Sequence, residues 1–352
     1  MSGPQAPSQI ANAEEQRPAR RPTRRWLLIG LGIALSGGLL YLSFRNIDIT
    51  AVIDEIAAIH VLALLIFPIL RLNNFLIPAL RSRILFAPLS PQSAPSTPSA
   101  LSYWRLLKSV FLAFAVNNVI PLRAGDVARI GYLSHHGDLP ASTCLAVVAF
   151  ERLLDLFVLA VIVLCTLPLM AIDLPLGTAF YIFSAGVGLA IASALWVSRY
   201  PDTFRRLCVR VAGLFGSWVR RLVDNMAGTL ADGLSALKSA SAVFGVIACS
   251  VMFWLIAACI VQTWLWALGI DLPWYAPIVV LASLSLGLAM PSTPGNVGTF
   301  HFFASSALIA LGTPETQALS FAIVAHAMAL VPFTLLAIPL LLRDYLALSR
   351  RR

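Results

Sequence analysis

Continuous apolar runs of about 20 residues recur at 26–44, 56–80, 143–167, 178–197, 243–268 and 318–342. At about 1.5 Å per residue, each can cross the roughly 30 Å hydrocarbon core of a bilayer as an α-helix. The runs do not alternate polar with apolar residues, which argues against a transmembrane β-barrel. With 59% hydrophobic and only 12% charged residues in 352, no soluble domain could hide this much apolar surface. The expected fold is an all-α polytopic membrane protein. It has about six full transmembrane helices plus two re-entrant or broken segments, related as an inverted repeat.

Orientation follows from the cations. The net charge of +9 would suggest nucleic acid in a soluble chain, but here the basic residues sit at the ends of apolar runs. Nucleic acid is therefore not an expected partner. Both termini are expected in the cytoplasm of a bacterial inner membrane. On that topology the inner segments hold twenty of the 25 basic residues, and Arg45 alone falls outside. The four left over are Arg71, Arg123, Arg129 and Arg152, which topology does not explain.

The domain reading is simple. Residues 1–25 form a disordered, arginine-rich cytoplasmic tail, 26–343 a single transmembrane domain, and 344–352 a cytoplasmic tail. Within the membrane domain, 87–100 is a Pro/Ser-rich linker. The stretch 199–242 carries seven basic residues with apolar positions at helical spacing, as amphipathic helices on the inner leaflet would. Trp264, Trp266, Trp274 and Tyr275 lie where an outer interfacial belt belongs. The five cysteines lack metal-type spacing and read as reduced packing residues, and no metal or cofactor is expected.

Function concentrates at 117–155. Arg123, Asp126, Arg129, Asp138, Glu151, Arg152 and Asp155 fall inside it, with Arg105 and Lys108 just upstream. Ionisable groups at membrane depth are costly and usually face a cavity, a partner or a substrate. Glu151 and Asp155 share a helix face at i,i+4, and Arg152 neighbours Asp155 at i,i+3. Two unpaired carboxylates there would be untenable, so an arginine compensates or one is protonated. Two compatible roles stand open. The cluster is an ion network pinning a re-entrant loop, or Arg123 and Arg129 take an anionic headgroup, since guanidinium grips phosphate with a bidentate fork. Arg71, beside Asn73 and Asn74 and between Pro68 and Pro78, faces the interior or snorkels to the surface. His135, His136 and Asp138 lack partners at ligand spacing, and His326 reads as an interhelical hydrogen-bond donor.

Two interruptions resemble each other. PLRAGDVARI (121–130) and PSTPGNVGTF (291–300) share proline, glycine and valine, and Asp126 falls opposite Asn296. Each follows a short apolar run and precedes another helix. Broken hydrophobic segments in corresponding positions of two opposed halves point to a transporter with a midplane site.

These motifs resemble the lysylphosphatidylglycerol synthase transmembrane-region family, also described as flippase-like membrane proteins. The matching residues are Asn118, Pro121, Arg123, Ala124, Gly125, Asp126 and Arg129, then Glu151, Arg152 and Asp155, then Pro294, Gly295 and Gly298. Asn296 stands where the family usually has a second glycine, and His301 where it has a glutamate. The resemblance implies lipid translocation, with an anionic phospholipid or polyprenyl-phosphate-linked lipid as partner. It implies no catalysis, because the aminoacyl-transferase domain of the full-length synthases has no counterpart here. A lipid-modifying transferase is the alternative activity. The other alternative is an accessory subunit of a lipid-synthesis complex, and a homo-oligomer or a lipid-synthesis enzyme is a further expected partner.

Overall fold

The computed structural model describes residues 23–45, 47–89, 101–120, 124–166, 177–289 and 292–349. Residues 1–22 of the expected tail, 90–100 of the linker, Pro121, Arg123 and the last three residues lie outside them.

The chain is helical, with no strand among the described residues. Six helices have 22 to 35 residues: α1 (Thr23–Phe44), α3 (Val61–Phe86), α6 (Ala141–Thr166), α7 (Gly177–Arg199), α10 (Ala240–Ala267) and α13 (Glu315–Ser349). Each covers one of the apolar runs. By length and composition α3, α10 and α13 are apolar enough to cross a membrane. This is an α-helical membrane protein. A short helix, α2 (Ile49–Ala57), bridges α1 to α3, with Asp48 capping its N-terminus by accepting from Thr50 N at 2.9 Å. The last helix runs on to Ser349, through most of the expected 344–352 tail.

Both interruptions fall between paired helices. The first joins α4 (Tyr103–Val119) to α5 (Ala124–Gly137), and the second joins α11 (Ala276–Ala289) to α12 (Thr299–Ala310). Gly125 explains how closely α4 and α5 approach. A Cβ there would sit 2.0 Å from Ala113 O and 2.7 Å from the Asn117 side chain, so only glycine lets the helices approach. Asn117 Oδ1 then accepts from Gly125 N at 2.8 Å, satisfying a helix-start donor in place of backbone. At the open end Gly137 faces Leu101, so the two helices run antiparallel.

The long helices frame these hairpins. α3 and α10 lie antiparallel along their lengths, from His60 N donating to Ala267 O at 3.2 Å to Ile84 against Gly245. α4 packs on α13, and α11 on α6. Phe75 stacks on Phe111 (centroids 4.3 Å) and Phe333 (5.3 Å), closing one apolar core between α3, α4 and α13. A second core around Leu106, Leu133 and Val147 joins α4, α5 and α6. Where one or two amphipathic helices were expected, there are two: α8 (Pro201–Ala212) and α9 (Ser217–Gly233). Arg205 clasps Asp224 between them with a two-pronged contact of 2.6 and 2.9 Å. α9 docks on α6, where Gly233 meets Thr143 O and Ala146.

Candidate functional site

Glu151, Arg152 and Asp155 all stand on α6, and three neighbours bring partners to them. Glu151 is fully buried. Its Oε2 lies 2.8 Å from Arg129 Nη1 of α5, and its Oε1 accepts from Ser82 Oγ of α3 at 2.6 Å. Arg129 also donates to Ser82 Oγ at 2.7 Å and to Ser109 Oγ at 3.4 Å, so α3, α4, α5 and α6 meet at one point. One turn on, Asp155 receives both prongs of the Arg81 guanidinium, the Nη2 to Oδ2 contact measuring 3.1 Å. Arg81 continues to Ser250 Oγ of α10 at 2.8 Å, and Trp254 Nε1 donates to Asp155 O at 2.9 Å. At the rim Arg152 donates to Asp126 Oδ1 at 2.7 Å and lies 3.9 Å from Asp155.

Three guanidiniums therefore face three carboxylates: Arg81, Arg129 and Arg152 against Asp126, Glu151 and Asp155. The net charge is zero, which is the condition under which buried ions are tolerable. Side-chain exposure falls from 46% at Arg152 through 22% at Asp126 and 14% at Asp155 to 1% at Glu151. The site has a mouth and a floor.

Arg81 was not expected here. At the end of an apolar run it counts as a cytoplasmic anchor, yet only 3% of it is exposed. The number of arginines withdrawn from the topology count is therefore five. The signal was present: Ile84, Leu85 and Phe86 continue the apolar helix past Arg81. Arg129 is likewise buried and fully engaged, so it takes an anionic headgroup only if the network opens.

The remaining candidates fall into two other groups. Asn118 Nδ2 donates to Thr334 Oγ1 of α13 at 2.7 Å, and its carbonyl approaches Gly295 at the tip of the second hairpin. The end of α4 thus meets the tip of the second hairpin against α13. Pro294–Asn296 form a 3-10 turn in which Gly295 has φ 67° and Asn296 φ 58°. Asparagine is among the few residues with a side chain that enter the left-handed region readily, which suits it to this position. Gly298, at φ 87°, lies so close to α1 that a Cβ would be 2.1 Å from Ser36 O. His301 Nδ1 accepts from Gly298 N at 3.4 Å, capping α12 from its third residue, where a glutamate would serve as well. His326 Nε2 donates to Gly295 O at 2.8 Å. Arg71 belongs to neither group. It packs over Phe75 and Phe114, with 5.8 and 5.7 Å to their centroids.

One expectation changes. Trp264 is no interfacial belt residue: it is fully buried against Phe67, whereas Trp266 and Trp274 are exposed. His135 and His136 end α5, where His136 stacks on Tyr132. Among the described residues no group of three His, Cys, Asp or Glu side chains could hold a metal.

A family model described as the lysylphosphatidylglycerol synthase TM region matches residues 29–337. No curated protein and no solved structure matches the chain.

Proposed function

The chain belongs to the lysylphosphatidylglycerol synthase transmembrane-region family, and from that premise we propose that it is a non-enzymatic lipid translocase of a bacterial inner membrane. It moves an anionic phospholipid or polyprenyl-phosphate-linked lipid between leaflets, with both termini in the cytoplasm. The observation that carries this reading is the charge-balanced network with its graded exposure. A headgroup phosphate reaching Arg152 replaces Asp126 as its partner, and the displaced carboxylate, 22% exposed at the rim, turns to water. Because Asp126 and Arg129 ride on the first hairpin, that exchange loosens the hairpin from α6.

The six long helices are the full spans in this reading, and the two hairpins enter from opposite faces. Their helices have 17, 14, 14 and 12 residues, at most about 25 Å at 1.5 Å per residue, too short to span. Two four-helix units result, α3 to α6 and α10 to α13. The antiparallel α3–α10 pair and the reciprocal α4–α13 and α11–α6 packing support an inverted repeat, with the tips meeting near the midplane.

Scrambling of fluorescent anionic lipids by the purified protein in liposomes tests this. The wild type should translocate at least one such lipid, and Arg152→Gln and Glu151→Gln should both lower the rate by about tenfold or more. Lipids left unmoved with and without a proton gradient would sink the translocase reading. A second reading, an accessory subunit docking a lipid-synthesis enzyme, draws on the exposed Leu207, Val211, Leu214 and Trp218 of the α8–α9 pair.

A further inference from the structure

A second cationic site lies away from the network. Arg71 precedes Arg81 by ten residues, about 15 Å along α3. It borders a cavity of about 90 Å³ enclosed by α3, α10, α11, α12 and α13. Among the described residues no carboxylate pairs with it, whereas every arginine of the network is matched. Its companions are the rings of Phe75 and Phe114, whose quadrupoles attract a cation but leave its charge uncompensated. Three polar atoms at this cavity are buried without a partner: Arg71 Nε, Trp264 Nε1 and Asn74 Oδ1. Trp264 is fully buried, so its indole N–H has no bulk water to turn to. Buried donors left unmade are rare and costly, and their convergence on one cavity calls for an acceptor there.

We propose that this cavity is a binding subsite for a phosphate or similar small oxyanion, held by Arg71 and Trp264. Arg71 supplies the charge and part of the donor fork, and Trp264 a single N–H. Asn74 completes the set, its amide turning to donate to an oxyanion or accepting from a protonated one. On the measure by which one water takes about 10–15 Å³, the cavity holds one tetrahedral oxyanion or roughly six to nine waters. The apolar walls, Leu284, Phe300 and Ala325 among them, exclude a large polar group. The inference deepens the translocase reading and rests on it for how a phosphate arrives at this depth. On that reading the headgroup has two arginine stations, Arg152 of α6 at the rim of the network being the first and Arg71 of α3 the second.

Calorimetric titration of the full chain in phosphate-free maltoside detergent tests the subsite. The probes are inorganic phosphate and a soluble short-chain phosphatidic acid, run on wild type, Arg71→Gln and Trp264→Phe. Wild type should bind at least one probe, with Arg71→Gln weaker by about tenfold or more and Trp264→Phe by about threefold. Binding of both probes identifies a general oxyanion site, and binding of the lipid alone identifies a headgroup site. A wild type that binds neither holds only water there, and the proposal falls. It also falls if both variants bind like wild type. Should Arg71→Gln fail to fold, Trp264→Phe decides alone, because it keeps an aromatic ring against Phe67 and removes the N–H. Binding that depends on Arg71 in a protein that moves no lipid would overturn translocation and spare the subsite. Translocation that needs Arg152, with binding indifferent to Arg71, would do the reverse.

Discussion

Arg129 Nη1 lies 2.8 Å from Glu151 Oε2, with side-chain exposures of 3% and 1%. The pair joins the first hairpin to α6 at the floor of the network, through a contact that neither helix makes by apolar packing alone. Removing two such charges from water costs several kcal/mol each, and their attraction returns this only while both are present. The floor is therefore either complete or strongly destabilising. That property distinguishes a structural clasp from a substrate site.

Glu151→Ala should lower stability by about 3–5 kcal/mol, because it strands Arg129 in a buried position. The double variant Arg129→Met with Glu151→Leu should recover most of that loss, since similar apolar volume replaces a buried pair at little cost. Thermal unfolding in detergent measures both. If the double variant is stable but translocates nothing, the charges serve transport. If it translocates like wild type, they serve only to hold the hairpin.

Gly125→Ala should cost about 1–3 kcal/mol, because the new methyl meets Ala113 O at 2.0 Å and backbone must move. Gly131 on the same helix provides the control, since a Cβ there meets nothing within 4 Å. Gly131→Ala should be neutral or stabilising by about 1 kcal/mol from helix propensity. Equal melting temperatures for the two variants would refute the close approach of α4 and α5.

Much of this arrangement was legible before the structure. The six long helices followed from run length, because a bilayer demands about 20 apolar residues per crossing. The two turns showed as glycine and proline inside apolar sequence, and Glu151 as a charge where none is cheap. Partners were another matter. Arg81 sits near the end of a run, where anchoring arginines are common, and only the rotation of α3 against α6 turns it inward. Ser82, Ser109 and Ser250 gave no signal, since serines in apolar helices often bond their own backbone, as Ser250 does to Val246 O at 3.0 Å. Trp264 followed the pattern of a belt residue because sequence gives depth and not which side of α10 faces α3. The split of the candidates into network, hairpin tips and Arg71 cavity depends on how helices pack, which spacing along the chain does not encode.

The α8–α9 clasp carries a pH prediction. Arg205, donating to Asp224, holds that carboxyl below its usual 3.8, and Arg205 is raised in turn. A depressed folded-state value means the pairing adds stability above the ordinary carboxylate range and loses it as pH falls through the folded value. Amide protection factors across the two helices, corrected for the intrinsic pH dependence of exchange, should therefore be unaffected by this pair from pH 8 to about pH 5 and fall only below about pH 4. Asp224→Asn should abolish that acid step. Because the pair is exposed, high salt should weaken it as well.

His301 separates capping from charge at the second hairpin. Its Nδ1 accepts from Gly298 N, so the ring proton resides on Nε2, and the helix start is closed without a carboxylate. His301→Ala should cost about 1 kcal/mol, the usual loss of a cap. His301→Glu should restore the capping acceptor and, beside His326 at a ring separation of 4.9 Å, bring a carboxylate next to an imidazole. Stability at neutral pH should then match wild type within about 1 kcal/mol. If translocation by His301→Glu gains a dependence on a proton gradient that the wild type lacks, a carboxylate at this position suffices to couple transport to protons. If His301→Glu unfolds the protein, a negative charge is not tolerated at this tip and the capping account fails.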